Sequence, residues 1–357
     1  MNIQTQISNK VDVKDWERQL SKSVASTTYQ VPAWQEMFEA VYGSKPIFIT
    51  ATDSKGKILA QLAGVIHQKW YWRDANLISR TIGNNLNLNR LFHCFYGPII
   101  HDESNQDQLL NEMLLAIDKI AKENKITMMR GITAPQNSNF SRCIFETNGY
   151  DLNPWATFII NLQDNEEDLF NSLDKKTRYD VRKSEKNNLE FVVVNDRNDY
   201  TEYQNLKFHS RKINRLRTVS NDLFYDKHWE LLFKNNHEQL LLVRYNGECI
   251  GGIFTLIFNN NVIQHGVANS ERKELLGGSF LTWNTINWSR KRNYLTYDMA
   301  GVNPYPESDK EKKINFYKSK WGGRQYPYYI YTKIYDKTKL KLFTVLKNPK
   351  KIKQLSK

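Results

Sequence analysis

The chain has 357 residues, 40% of them hydrophobic and 13% aromatic, which is enough to fill two cores of ordinary size and excludes a disordered chain. Its formal charge is +13, from 51 Lys and Arg against 38 Asp and Glu, and residues 337–357 alone hold eight Lys and no acid. Such a run is drawn to polyanions, whether a membrane surface or RNA, or serves only as a solubilising terminus.

In chain order, the pattern predicts a helix over 32–42 and then a hairpin. Its apolar strands are 47–51 and 58–66, joined by a turn ending in Gly56. A strand over 94–100, a helix over 106–123 and a strand over 126–130 follow. A turn at Asn153-Pro154 precedes a strand over 156–162. The plan then repeats: a helix over 199–212, a hairpin of 240–245 and 249–258 around Asn246-Gly247, a strand over 262–268, a helix over 278–291 and a strand over 294–299. Hairpins this short exclude parallel crossovers between the early strands, so the sheet is not doubly wound. The expected fold is α/β with mixed α+β sheets, in two tandem domains over 1–154 and 155–322. Residues 323–357 are expected to supply a strand returning to the first domain and the Lys-rich tail.

Three widely spaced cysteines, Cys94, Cys143 and Cys249, form no CxxC or Cys/His pattern, which points to a reducing compartment and no structural metal. The first residues lack a basic-then-apolar leader. The longest strongly apolar run, 250–258, is too short to span a bilayer. A cytoplasmic protein is expected, reaching the inner face of the membrane through its tail if at all.

The chemistry concentrates between residues 266 and 323. Gly277, Gly278 and Ser279 open an aromatic-rich helix, and the N–H groups freed at a helix start bind an anion or a polarised carbonyl. Asp298 ends an apolar strand, where it holds or deprotonates an attacking amine, or simply caps the following turn. Lys318 lies between Phe316 and Trp321. It either stabilises a developing oxyanion or is one more solvated Lys beside Lys312, Lys313 and Lys320. Lys175, Arg178, Arg182 and Lys186, spaced three, four and four apart, share a helical face suited to phosphates or to a solvated ion-pair network. Lys207, Arg211 and Arg215 form a second stripe. His265 reads as a core or rim histidine, and no Ser/His/Asp or metal-ligand constellation is visible.

Several segments in this order resemble one family: Gln30-x-Pro-Ala-Trp34, Phe95-Tyr-Gly-Pro-Ile-Ile100, Lys175-Lys-Thr-Arg178-x-x-x-Arg182, Tyr297-Asp-x-x-Gly301 and Tyr317-Lys318-x-x-Trp-Gly-Gly323. The chain resembles the FemABX aminoacyl (peptidyl) transferases, which are tandem GNAT-like acyltransferase domains. The resemblance implies transfer of an acyl group, usually an amino acid from aminoacyl-tRNA, to an amine of a phosphorylated cell-wall precursor. No bound cofactor is implied; the donor is a co-substrate. On this reading Lys318 and Asp298 are catalytic, and Gly277, Gly278 and Ser279 hold the donor. Lys175, Arg178, Arg182, Arg211, Tyr96 and Gly97 then contact the acceptor.

The departures are specific. Tyr317 replaces a Phe, Tyr96 an Arg, and the span 187–191 leaves no room for the helical arm that grips tRNA in some members. Leu275 stands where an acyl-CoA loop has its first Gly. An acyl-CoA or acyl-carrier donor, or a non-catalytic RNA- or membrane-binding module, are the alternatives.

Overall fold

The computed structural model describes residues 2–67, 77–135, 141–213 and 222–347, with side chains described except at 77–80, 211–213, 222 and 347. The contacts divide the chain into two compact units, Met1–Pro154 with Tyr328–Lys357, and Trp155–Pro327.

The first unit begins with β1 (Gln4–Ser8), α1 (Val13–Leu20), α2 (Pro32–Tyr42), β2 (Lys45–Thr52) and β3 (Ile58–His67). It continues with α3 (Leu77–Asn85), β4 (Leu91–Cys94), β5 (Ile99–Ile100), α4 (Gln106–Glu123), β6 (Met128–Ile132) and α5 (Arg142–Thr147). The division falls within β7 (Asp151–Asn161). The second unit adds α6 (Glu166–Ser172), α7 (Lys175–Ser184), β8 (Leu189–Val193), α8 (Arg197–Ile213), α9 (Asp222–Lys227) and a π-helical turn, His228–Phe233. Then come β9 (Glu238–Tyr245), β10 (Glu248–Phe258), β11 (Asn261–Asn269), α10 (Gly277–Lys291), β12 (Thr296–Val302) and α11 (Asp309–Ser319). The chain ends with β13 (Arg324–Ile334) and α12 (Lys337–Lys347).

Local chemistry accounts for the boundaries. Pro32 at the first position pre-sets α2, and Gly43, at φ 63°, ends it in the left-handed conformation. Asn246 and Gly247 both take positive φ, as the tight turn between β9 and β10 requires. α4 buries Leu109, Leu110, Met113, Leu114, Ile117 and Ile120 at helical spacing against the first unit's sheet.

The two units share one pairing pattern. In the first, β1-β2-β3-β4 pair antiparallel, β4 and β6 parallel, and β6 and β13 antiparallel. In the second, β8-β9-β10-β11 pair antiparallel, β11 and β12 parallel, and β12 and β7 antiparallel. Each parallel pair needs a crossover, supplied by α4 and α10 respectively.

Two sequence expectations are corrected. Residues 94–100 are not one strand: Gly97, at φ 132°, and the cis Gly97–Pro98 bond separate β4 from β5. Asn153-Pro154 is not a turn but lies inside β7.

Candidate functional site

β11 and β12 pair only at Asn261–Thr296, Val262–Tyr297 and Ile263–Asp298, although both strands run on. Beyond that point they fork. The fork is built into β12: Asp298 Oδ1 accepts the Ala300 N–H at 2.7 Å, Ala300 adopts φ 64°, and the register against β7 shifts between Asp298 and Gly301. Thr157 of β7 also donates to Asp298 Oδ1. Asp298 is 6% exposed, and burial raises its pKa to about 6 against the pull of those bonds and of Lys318.

Bending the strand exposes two carbonyls, and Lys318 takes them. Its Nζ donates to the Ala300 oxygen at 2.9 Å and the Gly301 oxygen at 3.1 Å. An ammonium has three N–H donors, so one is left for a ligand. Burial lowers the Lys318 pKa to about 8, and the Asp298 carboxylate opposes that shift. The sequence pair Asp298 and Lys318 therefore meets in space.

Lys318 lines a cavity of about 840 Å³ lying wholly in the second unit, and Gly277, Gly278 and Ser279 line it too. α10 starts there with no side-chain cap; the Ser279 and Phe280 N–H groups bond the Leu276 oxygen, which leaves those of Gly277 and Gly278 as the candidates for a ligand. Leu276, just before, holds φ 54°, a left-handed backbone that costs a branched side chain energy and marks a constrained turn. Arg272, Lys273, Lys310 and Lys313 join Lys318 around the cavity, and no Asp or Glu is among its described lining residues. Arg272 is held by Glu248 at 2.8 Å. Gln264, accepting from the Tyr297 hydroxyl at 2.8 Å, forms part of the wall. Tyr317, within hydrogen-bond reach of Thr282 at 3.1 Å, forms another.

Five lining residues were not assigned to the site from the sequence, although Lys313 was named there as a solvated Lys and Tyr317 as a motif residue. Lys310, Lys313, Ile314 and Tyr317 recur at three- and four-residue spacing on α11, a stripe that marked a single helical face. Gln264 carried no such signal.

The basic stripe of α7 does not reach this cavity. Arg178 turns inward, its Nη1 donating to the Asn171 oxygen at 2.8 Å and to the Leu173 oxygen, where it closes the end of α6. Arg182 lies exposed over the Phe170 ring at 5.0 Å, Lys175 is exposed at the start of α7, and Lys186 falls beyond the helix. The Arg211 side chain and all of Arg215 lie outside the described residues. Tyr96 and Gly97 belong to the first unit, where Tyr96 packs edge-on against Tyr29 and the Gly97 oxygen accepts from Tyr331 at 3.0 Å.

No protein-family model matches the chain, and no curated protein matches its sequence. Among solved structures, FemX matches with a TM-score of 0.73 and 14% identity over 98% of this chain and 100% of that one. The C-terminal DUF2156 domain of a putative lysylphosphatidylglycerol synthetase from Agrobacterium fabrum matches with a TM-score of 0.55 and 12% identity, covering 93% of this chain and 96% of that one. A tandem GNAT protein from the clavulanic acid biosynthesis pathway gives 0.51 and 8% over 93% and 98%. At these identities the likeness is one of fold: the chain has the mixed α/β, tandem GNAT-like architecture of FemX, as its sequence motifs implied. Among the described residues, no helix is long and apolar enough to cross a membrane.

Proposed function

We propose that the protein is an N-acyltransferase that moves an aminoacyl group from aminoacyl-tRNA to an amine of a phosphorylated cell-envelope precursor. The observation that carries this reading is the cavity: five cations including Lys318, no acid among its described lining residues, and an uncapped helix start. A polyanionic donor is attracted by the rim, and its carbonyl is drawn toward the remaining Lys318 N–H. As the amine attacks, negative charge grows on the carbonyl oxygen beside that ammonium. Asp298 shapes the bent strand whose carbonyls hold Lys318 and favours its charged form. Arg182, Lys175 and Arg211 remain the candidate contacts to the precursor's phosphates. Arg178 supports α6 in addition to any such contact.

A second donor, acyl-CoA, is favoured by one observation: the Gly277-Gly278 helix start has no side-chain cap, and such a start suits a pyrophosphate, although Leu275 stands where an acyl-CoA loop has its first Gly. Incubation with labelled aminoacyl-tRNA and with labelled acyl-CoA, each with a panel of amines, separates the two donors. Label retained in both pools overturns the reading and leaves a non-catalytic binding module.

The Lys-rich terminus is proposed as an electrostatic contact to an anionic membrane surface at the cytoplasmic face. α12 itself is not free for this, because its Phe343 packs with Leu340 and Leu346 against Leu88.

A further inference from the structure

The carbonyl that reacts beside Lys318 carries the group to be transferred, so the donor's side chain starts within a few bonds of that ammonium and lies in the same cavity. The cavity wall therefore decides which acyl group is accepted, and its charge is one-sided. Arg272, Lys273, Lys310, Lys313 and Lys318 line it, with no Asp or Glu among the described lining residues. Glu271 and Glu274 flank two of these cations in sequence but are not among the lining residues. Three acids on neighbouring elements are already engaged. Glu248 holds Arg272 at 2.8 Å, Glu311 Oε2 accepts from the Ser308 N–H at 3.0 Å and its hydroxyl at 2.9 Å, and Asp298 Oδ1 accepts from Thr157 and Ala300.

One neutral wall residue is fixed in the same sense. Gln264, 8% exposed, is the first residue of β11 past the last pair of the fork, and its Oε1 accepts from the Tyr297 hydroxyl at 2.8 Å. Tyr297 is wholly buried, which pushes its pKa up and keeps the hydroxyl a donor. With the oxygen end of the amide engaged, the end left for a ligand is the NH2. The cavity thus offers N–H donors from Gln264, Gly277, Gly278 and Lys318, together with apolar wall from Ile250, Val267, Leu276 and Ile314.

We infer that this cavity admits acyl groups with an uncharged side chain and rejects lysyl and arginyl groups. The inference rests on the N-acyltransferase reading and holds for either carrier, tRNA or CoA. A Lys or Arg side chain keeps its proton at neutral pH, meets no carboxylate among the described lining residues and adds a sixth cation to five. Like charges brought together away from bulk water repel strongly, and such repulsion excludes a wrong ligand without any new attractive contact. The α-amine is common to every aminoacyl donor and does not distinguish them; its ordinary pKa of about 8 also lets it shed its proton at little cost.

The test separates charge from length. One tRNA, and in parallel CoA, is charged in turn with norleucine, lysine and Nε-acetyllysine and given to the full-length protein with a panel of amines. Norleucine matches the lysine chain without its ammonium, and Nε-acetyllysine is longer but uncharged. kcat/KM for the norleucyl and Nε-acetyllysyl donors is expected on the order of 10²-fold above that for lysyl. Lysyl transfer within about tenfold of norleucyl overturns the inference. Loss of Nε-acetyllysine together with lysine also overturns it, because length is then the criterion. Gln264→Glu puts a carboxylate at the fork and should narrow the preference about tenfold. If that variant does not fold, Lys313→Glu on the exposed side of α11 should narrow it instead. A preference unchanged in the folded variant overturns the inference. If wild-type protein moves no acyl group from either carrier, the transferase reading fails by itself. The cavity is then judged by calorimetric titration with 3′-deoxy-3′-(aminoacylamino)adenosine 5′-monophosphate in norleucyl and lysyl forms. Tighter binding of the norleucyl form supports the selection, and equal binding, tighter lysyl binding or no binding overturns it.

Discussion

The two units run through the same order of strands and end differently at the same place. In the first, the parallel pair β4–β6 is stitched beyond its last rung: the Gly97 N–H donates to the Ile132 oxygen at 2.9 Å, and the fully buried Tyr331 donates to the Gly97 oxygen. In the second, β11 and β12 part after three residue pairs and leave the cavity. The crossover helices differ in the same sense. α4 is preceded by Asp102 and Glu103 and carries Asp107 in its first turn, whereas α10, approached through Glu271, Arg272, Lys273 and Glu274, has no acid in its first turn and opens on two glycines. Acids at a helix start use up its positive end; glycines and cations leave it for a ligand. A shared strand order thus supplies one unit closed at this point and one with a cation-lined cavity there.

The sharpest way to break the contrast is to remove the open fork's cation. Lys318→Met should lower kcat and kcat/KM together, on the order of 10²–10³-fold, with the fold intact by circular dichroism. Lys320→Met, whose Nζ rests over the Phe316 ring, should change little. Equal effects of the two would remove Lys318 from the mechanism.

Glycine scanning tests packing next. A Cβ at Gly131 would come within 2.1 Å of the Tyr331 ring, so Gly131→Ala should cost about 1–3 kcal/mol in urea unfolding. At Gly278 the nearest atom would be 3.6 Å away and φ is not positive, so Gly278→Ala should be neutral or stabilising by about 0.5–1 kcal/mol. A reversed order would contradict the sealed and open assignments.

The pH dependence follows from the fork. Asp298 is raised, so its carboxylate forms above about pH 6; Lys318 is lowered, so its ammonium is lost above about pH 8. Turnover should therefore plateau between those values and fall on both sides. Stability has its own sign. Between 3.8 and about 6 the native state keeps the Asp298 proton that the unfolded chain has lost, so stability falls as pH rises through that window. Asp298→Asn should abolish this slope in pH-dependent denaturation.

The smallest effect is expected at the terminus. Deleting residues 348–357 should change unfolding free energy by less than about 0.5 kcal/mol while weakening sedimentation with phosphatidylglycerol vesicles at low salt. Deleting from residue 337 should also destabilise the first unit, because the buried Phe343 goes with it.

Much of this was legible in one dimension. The helix over 32–42 and the helix over 106–123 match α2 and α4 at both ends, since a proline, a glycine and a regular apolar stripe specify them locally. The break after Cys94 was not, because Phe95-Tyr-Gly-Pro-Ile-Ile100 has strand-forming residues on either side of the Gly-Pro. Asn153-Pro154 misled in the opposite direction: a turn-favouring pair is carried inside a strand held by its neighbours.

The sequence by itself determined the repeated element order, the uncapped glycine helix start and the presence of Lys318 and Asp298, because periodicity, turn chemistry and motif order are local properties. Only the tertiary structure decided what these residues face. Arg178 proved to close α6, Lys318 to sit on two carbonyls bared by a bent strand, and Gln264 to turn its amide oxygen to Tyr297. A bulge or a fork is set by the pairing of distant strands, and one residue of register exchanges the faces on which side chains lie.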